Sequence, residues 1–386
     1  MTLLLFAHDD SAKDTEYAEK ATRNSAKDTR MSLVKVGDRK IADGEPVFII
    51  AEVGVNHNGS LALGHAHVRA AKTAGCDAVK LQTYRAGALA ARESPLYWDG
   101  AEGSQYQAFA KLDGLPFDEA RELMAAAGDL GMVGFSTPFD MDAVDALEAA
   151  NVPLYKIASA DITYLDLLMR VADTGKPIIL STGASDLWAV EEAIRAITAN
   201  GNEQIILMGC TLKYPTPIDE ANLGQLADLR KNFPFPVGLS DHTESVLVPA
   251  LAVALGAVCI EKHFTVDRTL GGSPDHNMSA DPEMMAELVR NVRLAERAML
   301  GSGKKVVLPC EARAYAYARR SVVAARPIPS GKVLERADLT CKRPGTGIAA
   351  DQLENILGRA VDVDVEEDTV LTYTHLAPAG RPEVKC

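Results

Sequence analysis

From Val47 to Thr265 the chain alternates short, nearly unbroken apolar runs with longer stretches whose apolar residues return at helical spacing. Runs of the first kind suit strands covered on both faces, as in a parallel sheet. Stretches of the second kind suit crossover helices that bury one stripe against it. The runs are VFIIAEVG, DAVKLQTY, VGFSTPF, PLYKIASA, PIILSTG, QIILMGCT, PVGLSDH and AVCIEKHFT, eight in all. Between them lie LGHAHVRAAKTAG, DEARELMAAAGDLG, DLWAVEEAIRAITANG and similar segments, several closing on the glycine that a left-handed helix stop favours. Eight strand–helix units predict an α/β fold of the (β/α)8, TIM-barrel kind. An open doubly wound sheet would carry a glycine fingerprint after its first strand, and VGVNHNGS does not match it.

Nearly every run ends in polar groups. GAVCIEKHFT is the plainest case, passing from Ala257, Val258, Cys259 and Ile260 straight to Glu261, Lys262 and His263. In a barrel such ends share one mouth, the face on which these folds carry their chemistry. His242 and His263 end consecutive runs, so they are placed to share a cation; with Glu52 or Asp161 beside them the donors suit Mg²⁺, Mn²⁺ or Zn²⁺. A single histidine at a strand end more often only makes hydrogen bonds. Lys80 and Lys156, with Thr137, Ser159, Ser181 and Ser240, form a donor set for a phosphate or carboxylate. The plainer alternative pairs the two lysines with Glu52 and Asp161 as structural ion pairs. Lys80, Lys156 and Lys262 also qualify as Schiff-base nucleophiles. His65 and His67 are expected in solvent on a crossover helix, and Trp98 and Trp188 suit packing of a loop or helix as well as contact with a ligand.

Length and charge narrow the picture further. A chain of 386 residues accommodates one barrel and a smaller module. A net charge of −13 argues against nucleic acid and anionic membrane as partners, so an anionic substrate needs a local basic pocket. Six scattered cysteines without a C-x-x-C pair suggest a reduced, cytoplasmic protein. No apolar run is long enough to cross a bilayer. Residues 1–30 repeat SAKDT in a polar, charge-mixed context and read as an extension with little to bury. The barrel is expected over 31–300, a linker over 301–319, a small β-rich module over 320–376 and a tail over 377–386.

The motifs IAEVGVNHNG, VKLQTY, STPFD, YKIASAD, LSTGAS, YPTP, GLSDHT, EKHFT, PDHNMS, RRSVVAARPIPSGKVL and KRPGTGI, in this order, resemble the bacterial sialic acid synthase family. That resemblance implies a TIM barrel followed by a C-terminal antifreeze-like, or SAF, domain. It implies condensation of phosphoenolpyruvate with an N-acetylmannosamine-type sugar to give N-acetylneuraminate, or a close nonulosonate, and phosphate. It further implies Mn²⁺ or Mg²⁺ on His242 and His263, and phosphoenolpyruvate held by Lys80, Thr137, Lys156, Ser159, Ser181 and Ser240. The sugar would be met by Gln82, Tyr214, Asp275 and Arg343, with Glu52 and Asp161 moving protons. The implied assembly is a domain-swapped homodimer in which Arg343 acts on the other subunit's barrel.

Two positions depart from the N-acetylneuraminate-forming members, which carry Glu where this chain has Asp161 and Asn where it has Leu212. They leave room for a legionaminic or pseudaminic acid synthase using a diacetamido-trideoxyhexose. A Schiff-base aldolase or lyase, and a carbohydrate- or ice-binding protein with an inert barrel, are the remaining alternatives.

Overall fold

The computed structural model describes residues 33–98, 102–113 and 115–378. The expected extension at 1–30 and most of the expected tail lie outside the described residues. Two compact units meet in the chain between Leu300 and Gly301.

In the first unit, β1 (Val34–Val36) and β2 (Arg39–Ile41) form an antiparallel hairpin. β3 (Phe48–Gly54), β4 (Ala78–Thr83), β5 (Val133–Pro138), β6 (Tyr155–Ile157), β7 (Ile178–Ser181), β8 (Ile205–Cys210), β9 (Val237–Asp241) and β10 (Cys259–His263) follow. They pair in chain order, and β10 closes on β3 to make a parallel barrel. This is the (β/α)8 fold expected from the pattern, with a helix such as Leu61–Ala74, Phe117–Asp129 or Pro282–Ala298 following each strand. Helix Leu61–Ala74 shows how the ends are set: Ser60 accepts a hydrogen bond from the Leu63 amide at its start, and Gly75 stops it at φ 90°.

Strand parity then sorts the side chains. Ile49, Ala51 and Val53 of β3, Val79 and Leu81 of β4, and Leu180 of β7 face outward into the core shared with the helices. Phe48, Ile50, Ala78, Phe135, Ile179, Ile206 and Cys259 face inward and fill the lower barrel together with Val34, Val36 and Ile41 of the hairpin. The inward column is thus apolar at the bottom. Its next members upward are Glu52, Lys80, Thr137, Ser181 and Glu261.

Close packing also restricts backbone positions. A Cβ on Gly134 would lie 2.2 Å from the Met124 carbonyl oxygen, and one on Gly238 would lie 2.4 Å from that of Cys259. The second unit pairs β11 (Ser321–Ala324) with β12 (Leu339–Lys342) antiparallel, over its own core of Val322, Ile328, Leu334, Ile348 and Leu371. Asp338, fully buried there, is held by Arg326 and Lys332.

Gly134→Ala is expected to destabilise the barrel by about 1–3 kcal/mol, because the added methyl meets backbone that cannot rotate away. Equilibrium urea denaturation checks this, and an unchanged midpoint would show that β5 and helix Phe117–Asp129 can separate freely.

Candidate active site

The upper barrel opens into a cavity of about 720 Å³. It receives Glu52 from β3, Lys80 and Gln82 from β4, Thr137 from β5 and Lys156 from β6. Ser159 and Asp161 come from the turn after β6, and Ser181 from β7. Tyr214, Ser240, His242, His263 and Asp275 complete the set from the later strands and loops. The barrel residues expected to bind substrate or metal or to move protons therefore all line one space, whereas the third Schiff-base candidate, Lys262, does not. Arg343 lies in the second unit, exposed, just after β12.

Parity accounts for what points in. On β10, Glu261 and His263 line the cavity, whereas Lys262 between them is turned outward. Lys262 is 1% exposed and donates to Asp241 Oδ2 at 2.8 Å and to the Thr243 and Ser245 carbonyls. Tied in this way, it is no Schiff-base candidate.

The floor is an ionic network. Lys80 Nζ lies 2.7 Å from Glu52 Oε2, donates to Thr137 Oγ1 at 3.0 Å, and sits 3.9 Å from Glu261 Oε1. Lys156 Nζ is 3.8 Å from the same Glu261 oxygen, which also accepts from Ser240 Oγ at 3.1 Å. The lysines are thus paired, but the partner of Lys156 is Glu261, where the sequence suggested Asp161. Gln82 Nε2 donates to the other Glu52 oxygen at 3.0 Å.

Burial decides the protonation of this set. It pushes Glu52 up to about 7, outweighing the pull of Lys80, and Glu261 adds to the rise. Burial also lifts Asp161 to about 6 against Lys156, and Asp275 to about 6 against His242 and Lys80. Glu261 is desolvated too, yet Lys156 and Lys80 together hold it below the usual carboxylate range. Burial lowers Lys156. Three carboxyl groups therefore titrate near neutrality, where proton transfer is most effective.

The imidazole rings of His242 and His263 are 5.3 Å apart, with Tyr214 4.2 Å from the former and 5.7 Å from the latter. His242 Nδ1 lies 2.9 Å from the Thr211 carbonyl oxygen; donating there, it leaves Nε2 as the nitrogen with a free lone pair. His263 Nδ1 is buried with no hydrogen-bond partner among the described residues, 3.5 Å from Asp275 Oδ2. Burial, with His242 and the lysines, keeps His263 well below its ordinary value and so neutral. Burial lowers His242, but the Cys210 sulfur and the Thr211 carbonyl outweigh it and raise it, so a cation bound there would displace the His242 proton. With that proton gone, two imidazole nitrogens beside a carboxylate fit a divalent cation. No cluster of three or more His, Cys, Asp or Glu side chains arranged for a metal occurs among the described residues, so such an ion would take its other ligands from water or substrate.

Sequence reasoning passed over Glu261 as a site residue, although counting back two from His263 finds it. It also passed over Cys210, whose sulfur is 3.8 Å from His242 Nδ1 and which likewise ends an inward column. His67, expected in solvent, is fully buried and contacts the Leu63 carbonyl, because the stripe it occupies on its helix faces the barrel. Trp98 lines the cavity, and Trp188 is half exposed. Tyr214 precedes a cis proline, Pro215, in the loop after β8.

A closed parallel barrel whose mouth gathers buried lysines, hydroxyls, titrating carboxyls and an imidazole pair is the framework of an enzyme acting on a small polar substrate. Residues 67–305 match the NeuB family and residues 319–377 the SAF domain, and the chain belongs to the NeuB family. An uncharacterised protein of Methanocaldococcus jannaschii is 44% identical over 90% of this chain and 99% of its own length. The N,N'-diacetyllegionaminic acid synthase of Legionella pneumophila is 40% identical over 85% of this chain and 94% of its own. A crystal structure of N-acetylneuraminic acid synthetase from Leptospira borgpetersenii, in complex with citrate, superimposes with a TM-score of 0.66 at 33% identity, covering 74% of this chain and 95% of that one.

Replacing Lys80 by Met strips Glu52 of its cation, and the carboxyl is expected to titrate above 7. Because its folded value then exceeds the unfolded one near 4.5, the folded state binds the extra proton, and stability falls as pH rises through that interval. Lys80→Met should thus lose more stability at pH 8 than at pH 6 relative to wild type, measured by urea denaturation. An equal loss at both would mean that Glu52 does not depend on Lys80.

Proposed function

We propose that this chain condenses phosphoenolpyruvate with an N-acetylmannosamine-type sugar, giving N-acetylneuraminate or a close nonulosonate and inorganic phosphate. The observation that carries the reading is the union, in one cavity of a NeuB-family chain, of two lysines and a hydroxyl set with the paired imidazoles.

Lys80 and Lys156, with Thr137, Ser159, Ser181 and Ser240, bind the phosphate and carboxylate of phosphoenolpyruvate and fix its methylene carbon toward the sugar. Mn²⁺ or Mg²⁺ on His242 and His263 would supply Lewis acidity toward the open-chain aldehyde. The methylene carbon donates its π electrons to the aldehyde carbon, forming the new C–C bond, and the aldehyde oxygen takes a proton. Water adds to the cationic enol carbon and loses a proton. The bond from that carbon to the phosphate oxygen then breaks as the new hydroxyl gives its proton to the departing phosphate, leaving the ketone. Glu52 and Asp161, both titrating near neutrality, carry these protons. Asp161 has a buried carboxylate oxygen without a hydrogen-bond partner among the described residues, suited to a substrate hydroxyl or water.

One observation favours a second acceptor. Leu212 lines the cavity, and an apolar side chain there suits the less polar diacetamido-trideoxyhexoses. The deciding experiment is a phosphate-release assay with phosphoenolpyruvate, Mn²⁺ and a panel of N-acetylmannosamine, its 6-phosphate and the two diacetamido-trideoxyhexoses. Release with one acceptor, abolished by chelation and indifferent to borohydride, is the expected result. Inactivation by borohydride with substrate would point to a lysine adduct instead.

The reading includes a cytoplasmic homodimer in which Arg343 reaches the sugar from the second subunit. Arg343→Ala should then raise KM for the sugar about tenfold or more, the scale of a charge-assisted hydrogen bond. An unchanged KM removes Arg343 from the site.

A further inference from the structure

One wall of the cavity has no part in the chemistry above. Val55, Tyr84 and Leu112 form a cluster against which Leu89, Phe109 and Phe139 pack. All six line the cavity. The rings are fixed edge to face: Tyr84 is 5.7 Å from Phe109 and 5.9 Å from Phe139, and Trp98 extends the series at 5.8 Å from Phe109. Within this apolar surface lie two hydrogen-bond donors without partners among the described residues, the Tyr84 hydroxyl and Trp98 Nε1, both shielded from solvent. Tyr84 is 5% exposed, and burial raises its hydroxyl above the ordinary value, so it remains a neutral donor. A buried donor left unsatisfied is costly, by about 1–3 kcal/mol each, and two in one wall indicate a ligand that completes them.

The chemistry of that ligand group follows from what the wall offers and lacks. It offers donors and aromatic faces, so the group must carry an acceptor oxygen joined to an apolar end. Its members carry no cation, so a phosphate or carboxylate would lie there uncompensated. An ammonium has no lone pair to give. A lone hydroxyl could accept a bond but would leave the ring faces uncovered. An acyl amide meets every condition, its carbonyl oxygen accepting and its methyl packing.

We propose that this wall is the recognition pocket for an acylamino substituent of the acceptor sugar. Its carbonyl oxygen accepts from Trp98 Nε1–H and the Tyr84 hydroxyl, and its methyl rests on Phe109 and Phe139. The inference rests on the acceptor reading given under the proposed function, and it assigns substrate selection to the loop after β4 in addition to the strand ends.

The test uses Tyr84→Phe and Trp98→Phe, which keep the rings and remove the donors. With the acceptor that supports phosphate release in wild type, each variant should raise KM for the sugar about three- to tenfold, the scale of one neutral hydrogen bond. KM for phosphoenolpyruvate should stay at the wild-type value, and the melting temperature should not fall below it, since each variant removes an unsatisfied buried donor. Variants with an unchanged sugar KM overturn the pocket while leaving the synthase reading intact. Variants that raise both KM values alike overturn it too, since the effect is then general disruption. If wild type releases no phosphate with any acylated acceptor, the acceptor reading falls and takes the pocket with it.

Discussion

Two ammonium and two carboxylate groups, from Lys80, Lys156, Glu52 and Glu261, are buried together on the axis of the barrel, and the rest of the site depends on their balance. Desolvating such groups costs several kcal/mol per ion unless each finds its counter-charge at close range. The barrel meets that demand through register. Glu52 is paired with Lys80 across β3 and β4, and Ser240 with Glu261 across β9 and β10, so backbone hydrogen bonds set the spacing that the charges require. A slip of one residue in any of these strands would turn the charges into the helix-facing core and apolar neighbours such as Val53, Leu81 or Ile260 into the mouth. The apolar lower barrel, closed by Val34, Val36 and Ile41, holds that register fixed from below.

The parity that positions the charges also explains which parts of the molecule were legible in the sequence. Strand ends could be read directly, because an apolar run that stops on a charged residue announces where the interior ends. Glu52, Lys80, Lys156, His242 and His263 were found in this way, and all line the cavity. What the run alone does not give is the face. Lys262 was weighed as a nucleophile while Glu261 was passed over, and only the inward or outward turn of β10 separates a site carboxylate from a structural ammonium held by Asp241. His67 was misread for the helical counterpart of the same reason: its residue type suggests water, while the stripe it occupies packs on the barrel.

Residues contributed by loops were the least legible. Tyr84, Trp98 and Phe109 follow β4 at spacings that no periodicity governs, and they meet only because the chain there folds back over the mouth through the helices Ala86–Leu89 and Gln105–Leu112. Asp275 entered through family resemblance alone. Its place beside His263 is fixed by the loop after β3: Asn58 accepts from the Ser273 amide at 2.9 Å, and Asn56 donates to Ser279 at 3.0 Å. The VNHNG segment thus works as a clamp on the loop that carries a carboxylate to His263.

The near-neutral carboxyl groups gain meaning from the same balance. Glu52 stays partly ionised at neutral pH only because Lys80 opposes the effect of its burial. On the proposed reading, phosphoenolpyruvate brings its negative charge against Lys80 and Lys156 and competes with Glu52 and Glu261 for the two cations. Any loss of that attraction favours the protonated carboxyl, as does the approach of a second anion. Glu52, already poised near 7, is the group that gives way, whereas Glu261, held low by both lysines and by Ser240, keeps its charge. Substrate binding would then itself load the site with the proton that the aldehyde oxygen needs as the C–C bond forms. The acid form, already present in part, then becomes the dominant one when there is a substrate to use it.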